Sequence, residues 1–195
     1  MIRNSISVVI PTIPPREHML NRALESINRQ FLQPRQLIIE IDHRHEGAWA
    51  TRQRGAERAS GEWLAFLDDD DEMLPWHLSH LLWLTQEHEA DMTWGWFHVV
   101  GGGDPFPHYR GRQYTSSEPH IVPITYLIRH DLFMAGPGFQ PDGVGAWDNQ
   151  DQPVVDDAFA NGKLIASART TWLWHHHGMG YPGTTGNTSG LPTRW

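Results

Sequence analysis

Five apolar residues, Trp63-Leu64-Ala65-Phe66-Leu67, run directly into four consecutive aspartates, Asp68, Asp69, Asp70 and Asp71, and then Glu72. The apolar run is short, aromatic and β-compatible, which predicts a strand buried on both faces. Pro75 suits a first helical turn, so a helix is expected over 76–88. The aspartates therefore sit on the loop leaving the C-terminal end of a buried strand, where open α/β sheets hold their ligands. Four adjacent carboxylates repel one another unless a cation joins them. Hard oxygen ligands suit Mg²⁺ or Mn²⁺, above all where phosphates complete the coordination. The plainer alternative is a solvated acidic turn with Asp71 or Glu72 helping to cap the next helix. The strand immediately before the run favours a site. A DDxxD-type diphosphate site, approximated by Asp68, Asp69 and Glu72, needs a helix to align its carboxylates, and the preceding strand and closing proline argue against it.

The chain has 195 residues, enough for one well-buried domain and few for two. A formal charge of -8 disfavours a nonspecific nucleic-acid or anionic-membrane surface. With no cysteine there is no disulfide framework, zinc thiolate or thiol nucleophile. Residues 1–15 lack a long apolar segment, and no stretch approaches the ~20 apolar residues of a membrane span. A soluble, cytoplasmic protein is the expectation. Ten tryptophans and thirteen histidines suggest aromatic binding surfaces, with many of the tryptophans in the core.

Strands are expected over 5–12 (SISVVIPT), 37–42 (LIIEID), 63–67 and 91–100, alternating with helices over 16–30, 48–59 and 76–88. This β-α-β-α-β-α-β order implies parallel strands, with the strand ends at Asp42 and Asp68 on one edge of the sheet. Residues 101–119 are rich in Gly, Pro and polar residues and predict a loop. A strand over 121–128, a helical turn over 129–133, a loop over 136–148 and a helix over 153–161 follow. Short strands are expected over 164–167 and 171–174, then a Gly/Thr/Ser-rich flexible tail.

Several phrases now stand in order: Val9-Ile10-Pro11-Thr12, the strand-closing Asp42, Thr51-Arg52-Gln53-Arg54-Gly55, Ala59-Ser60-Gly61-Glu62 and Phe66-Leu67-Asp68-Asp69-Asp70-Asp71. Together they resemble the family 2 glycosyltransferases of GT-A fold, closely over 5–87 and more loosely over 123–177. The resemblance implies a single GT-A-like, Rossmann-like α/β domain with a mostly parallel sheet flanked by helices. Residues 1–100 would form the nucleotide-sugar half, 101–177 the acceptor side and 178–195 a tail. It also implies a metal-dependent transferase moving a sugar from a nucleoside diphosphate, most simply UDP, to a hydroxyl acceptor with inversion. Asp42 would meet the base, and Pro11, Thr12 and Arg52 would line the nucleotide pocket. Asp68 would approach the ribose with Asp69 beside it, and Asp70 would hold Mn²⁺ or Mg²⁺.

In the second half, residues 133–139 (FMAGPGF) resemble the family's acceptor-side G-G-F region. Gln150-Asp151 lies at the family's interval before Gly162-Lys163, which nominates Asp151 as general base, with Asp156 and Asp157 as further candidates. His175-His176-His177 follows a strand, and His175 or His177 could complete the metal shell, with the tail closing over the donor. Gln53 replaces the family's usual Asn and Gln150 its usual Glu, and His43-Arg44-His45 departs from the usual acidic turn. Two other classes stay open at this level. A sugar-phosphate nucleotidyltransferase would carry a Gly-rich, Arg-containing loop where this chain has Pro11-Thr12-Ile13-Pro14-Pro15. A non-catalytic carbohydrate-binding module would use its tryptophans.

Overall fold

Alternation along ISVVIPT sends Ile6, Val8 and Ile10 to one face of the sheet and Ser7 and Val9 to the other, and both faces are covered. The segment forms β1 (Ile6–Thr12), buried over its whole length. A computed structural model of the chain describes residues 5–115, 122–141 and 150–175. β1 lies between β2 (Gln36–Ile41) and β3 (Trp63–Phe66) and runs parallel to both. Helix α1 (Glu17–Asn28) joins β1 to β2, and α2 (Ala48–Glu57) joins β2 to β3.

Four more strands are β4 (Glu72–Met73), β5 (Met92–Val100), β6 (Leu127–Arg129) and β7 (Leu164–His175). The seven form one sheet in the order β2-β1-β3-β6-β5-β7-β4. Five of the seven run in one direction, while β6 and β4 run against their neighbours. On one face, Ile6, Val8, Ile10 and Leu67 pack with Ala23 and Ile27 of α1 and with Leu78 and Leu81 of α3 (His77–His88). On the other, Val9, Leu64, Phe66 and Trp94 meet Ala56 of α2, Phe133 of α4 (His130–Ala135) and Val155 of α5 (Gln152–Asn161). Each such large apolar side chain contributes roughly 1.5–3 kcal/mol by leaving water.

Two glycines of the quoted phrases have packing reasons. A Cβ on Gly55 would stand 2.3 Å from Val9 Cγ1, so glycine lets α2 lie directly on β1. A Cβ on Gly61 would stand 2.5 Å from the carbonyl oxygen of Ser5, at the close entry of β3 beside β1.

The α/β class and the parallel run of β1, β2, β3 and β5 agree with the expectation. Elsewhere the boundaries differ for physical reasons. The strand expected over 121–128 is confined to Leu127–Arg129. Pro123 has no N–H to give a ladder, and Val122, Thr125 and Tyr126 are buried as irregular chain. β6 then enters antiparallel between β3 and β5, so β5 does not pair with β3. The two short strands expected near 164–174 are one strand, β7, kept in register with β5 by irregularities at Trp94, Trp96 and Phe97. α3 begins at His77, two residues after Pro75. β4, inside the acidic segment, was not expected at all. His177 and the tail over 178–195 lie outside the described residues. Among the described residues no helix is long and apolar enough to cross a membrane.

Candidate active site

Because β1, β2 and β3 are parallel, Thr12, Asp42 and Asp68 emerge at one edge of the sheet. Backbone bonds extend the pairing past the strand ends, from the Asp42 N–H to the Thr12 carbonyl at 2.8 Å and from Leu67 to Val9 at 3.1 Å. The aspartate run then turns, with the Asp71 N–H donating to the Asp68 carbonyl at 3.2 Å. Glu72 and Met73 pair antiparallel with Leu173 and Trp172 of β7. The acidic loop is thus fastened at both ends, by β3 and by β7.

The four aspartates separate into distinct environments. Asp69 is fully buried, and its two oxygens accept from Thr12 Oγ1 at 2.7 Å and Arg16 Nη1 at 2.8 Å. Burial pushes its carboxyl up to about 6 against those two partners, and Asp70 and Asp68 push the same way. Asp68, Asp70 and Asp71 instead converge, each offering an oxygen within 4.8 Å of the others. Arg16 Nη2 lies 3.3 Å from Asp70 Oδ2, and Arg22 Nη2 donates to the Asp70 carbonyl at 2.6 Å. Asp71 Oδ1 accepts the His175 N–H at 2.9 Å. Burial, then repulsion from Asp70 and Asp68, holds the Asp71 carboxyl well above its ordinary range. Three convergent hard oxygens, one destabilised as an anion by burial and by its neighbours, have the chemistry to hold a metal cation.

Arg52 projects from α2 into the space between this loop and the second half of the chain. Its Nη2 donates to Asp68 Oδ1 at 2.5 Å and its Nη1 to Gln150 Oε1 at 3.2 Å. Burial works against the guanidinium charge, but Asp68, Asp151 and Tyr126 together hold its pKa above the ordinary value. Asp151 is 4% exposed at the start of α5. Burial raises its carboxyl to about 6, with Arg52 opposing and Asp68 reinforcing the shift. Tyr126 is fully buried, its hydroxyl has no hydrogen-bond partner among the described residues, and both Asp151 and Arg52 act on it electrostatically.

Other expected residues have placements of their own. Asp42 is buried with its carboxylate turned onto its own loop, accepting N–H bonds from Arg44 (3.2 Å), Glu46 (3.1 Å) and Gly47 (2.8 Å). Burial alone would raise its pKa, but those three bonds and Arg54 hold it below the ordinary value. Pro11 is buried within β1. The Thr12 hydroxyl points to Asp69. His175 places Nε2 2.8 Å from Glu72 Oε1, outside the three converging carboxylates. Asp156 bonds Tyr114 and Gln152, and Asp157 bonds Asn161, so both are committed within or beside α5. Arg16 and Arg22, the cations that neutralise the acidic loop, were missed in the sequence. Their only signal was position, in the turn after Pro11-Thr12 and six residues later on α1.

Fold and sequence comparisons agree with this geometry. Staphylococcus aureus TarS 1–349 superposes with a TM-score of 0.71 at 17% identity, covering 88% of this chain and 60% of that one. Its complex with UDP-GlcNAc gives 0.73 at 17% identity, covering 89% and 59%. At that identity the likeness speaks to the GT-A-like fold alone. GalNAc(5)-diNAcBac-PP-undecaprenol beta-1,3-glucosyltransferase of Campylobacter jejuni is 28% identical over 122 residues, 49% of this chain and 37% of its own length. The chain therefore spans between about two fifths and three fifths of the length of these relatives. Residues 33–139, more than half of the chain and inclusive of Asp42, Arg52 and the aspartate loop, match Glycosyl transferase family 2, and the chain belongs to that family.

Proposed function

We propose that the chain transfers a sugar from a UDP-linked donor to a hydroxyl acceptor, with inversion at the anomeric carbon. The observation that carries this reading is the bridge made by Arg52. One guanidinium joins the carboxylates at the end of β3 to Gln150, the neighbour of the buried Asp151. A UDP donor is supported by the TarS complexes with UDP-GlcNAc and UDP. A glycan hydroxyl as acceptor is supported by the lipid-linked glycan in the name of the Campylobacter relative. Residues 1–100 would form the donor side and 101–177 the acceptor side.

Asp68, Asp70 and Asp71 would hold Mn²⁺ or Mg²⁺. When bound, such an ion stabilises the negative charge that grows on a diphosphate leaving group. The chain's own residues do the rest. Arg52 keeps Asp68 and Gln150 in fixed relation and adds positive charge beside the leaving group. Asp151 accepts the acceptor's hydroxyl proton as that oxygen bonds to the anomeric carbon. The bond from that carbon to the phosphate oxygen breaks, and its electron pair leaves with UDP. A base with a pKa near 6 is ionised at neutral pH yet still basic enough for this role. Asp69 and Thr12 act from behind, fixing the loop to β1, and His175 steadies Glu72 from the β7 side.

Nucleotide-sugars should be screened with Mn²⁺ for thermal stabilisation and for nucleotide release, since a bound donor stabilises the fold by mass action. Stabilisation by a UDP-sugar and release of UDP support the reading. Release of pyrophosphate would point to a nucleotidyltransferase, and binding without release to a carbohydrate-binding protein.

A further inference from the structure

Gln53 follows Arg52 on α2 and makes a different connection. Its Oε1 accepts the backbone N–H of Phe139 at 3.2 Å, while its Nε2 donates to Glu57 at 3.1 Å. The amide also presses on Gly138, where a Cβ would stand 2.4 Å from Gln53 Oε1 and φ is +66°. Glycine is needed there on both counts. Phe139 is 2% exposed, with its ring edge-on to Phe66 at 5.0 Å and the Arg52 guanidinium 5.9 Å from its centroid. The next residue completes the path, because the Gln140 N–H donates to the Gln150 carbonyl at 3.0 Å. Gln150 is also the residue that Arg52 reaches.

We propose that Gln53 is a positioning residue for Asp151. It pins the loop over 136–141 to α2 through Phe139, and that loop holds Gln150-Asp151 through the Gln140 amide. Arg52 sets one side of the 150–151 segment from α2, and Gln53 sets the other. Two adjacent residues of one helix thus fix the distance between the aspartate loop and the base. The proposal rests on Asp151 being the base, and its test has an arm that does not.

The test compares Gln53→Glu, Gln53→Asn and Gln53→Ala in the full chain. Glutamate keeps an oxygen acceptor at the same reach, asparagine is one methylene short and alanine has no acceptor. Glu57→Ala controls for loss of the helix-surface bond. Amide hydrogen exchange should show faster exchange at both Phe139 and Gln140 in the Asn and Ala variants. Protection should be kept in Gln53→Glu and Glu57→Ala. A purely local role would free Phe139 alone, so unchanged protection at Gln140 in Gln53→Ala overturns the proposal. With a UDP-sugar that the wild type turns over, Asn and Ala should lower kcat by ~10–10²-fold, the scale of a misplaced catalytic group. Donor KM should stay within about 2-fold, and Gln53→Glu should restore kcat. Equal kcat in wild type and Gln53→Ala also overturns it. If the wild type releases no UDP from any donor, the transferase reading fails, and exchange at Gln140 still decides whether Gln53 positions the segment.

Discussion

Arg52 and Asp68, sixteen residues apart on α2 and at the end of β3, form a charge-assisted hydrogen bond of 2.5 Å. The other terminal nitrogen of Arg52 reaches Gln150, ninety-eight residues away. A planar guanidinium can hold two acceptors in fixed directions, whereas an ammonium is a point charge on a flexible stem. Arg52→Lys should therefore keep the charge but lose the bridge, lowering UDP-sugar turnover by ~10-fold or more. Steady-state kinetics on the two proteins test this, and equal turnover would show that the bridge is not needed.

Asp151→Asn should reduce transfer by ~10²–10⁴-fold, the usual loss on removing a general base. UDP affinity should hardly change. Asp156→Asn and Asp157→Asn should be milder, because those carboxylates are bonded to Tyr114 and Gln152, and to Asn161. The pH dependence follows from the raised carboxyl, near 6. As a general base Asp151 would work ionised, so kcat/KM should fall on the acid side below about pH 6. A profile flat down to pH 4.5 would assign the base elsewhere.

Gly55→Ala should destabilise the fold by ~1–3 kcal/mol, because the new methyl must displace Val9 in a packed core. Gly103 has nothing within 4 Å of a Cβ, so Gly103→Ala should be neutral or slightly stabilising. Thermal unfolding of the two variants side by side separates these outcomes, and a Gly55→Ala protein as stable as wild type would contradict the packing of α2 on β1.

His77 offers a stability test away from the site. It is fully buried at the start of α3. Burial lowers its pKa to about 3, with the Thr171 and Thr125 backbone opposing and His80 assisting. The unfolded chain therefore binds this proton more readily than the folded one. The contribution is intact above the unfolded pKa near 6.5 and is lost as pH falls from there towards 3. In His77→Leu the loss of unfolding free energy between pH 6.5 and 4 should be smaller than in wild type. Identical slopes in denaturant titrations would show that His77 is not responsible.

Much of the first half was legible because its signals are local. The doubly buried runs of β1 and β3 and the helical spacing of Leu20, Ala23, Leu24 and Ile27 each impose a short-range constraint that the fold satisfies. The aspartate loop was legible for the same reason, since a strand ends where the carboxylates begin. What stayed hidden depends on partners distant in sequence. β4 exists only because Glu72 and Met73 meet β7 about a hundred residues later. β6 is three residues long and takes its place from β3 and β5. Asp69 differs from Asp70 by burial against Thr12 and Arg16, which a run of identical letters cannot reveal. Likewise, nothing local marks Gln53 as the acceptor for Phe139.

The donor side proposed above depends on a metal ion held by Asp68, Asp70 and Asp71. Calorimetric titration of UDP into wild type and Asp70→Ala, each with Mn²⁺ and with EDTA, tests it most directly. Asp70 has no part in holding Asp69 to Thr12, so the variant should keep its fold, which circular dichroism can check. UDP should bind wild type with Mn²⁺, lose that binding in EDTA, and show no metal-dependent binding to Asp70→Ala. Equal UDP affinity with and without EDTA, in both proteins, would contradict it.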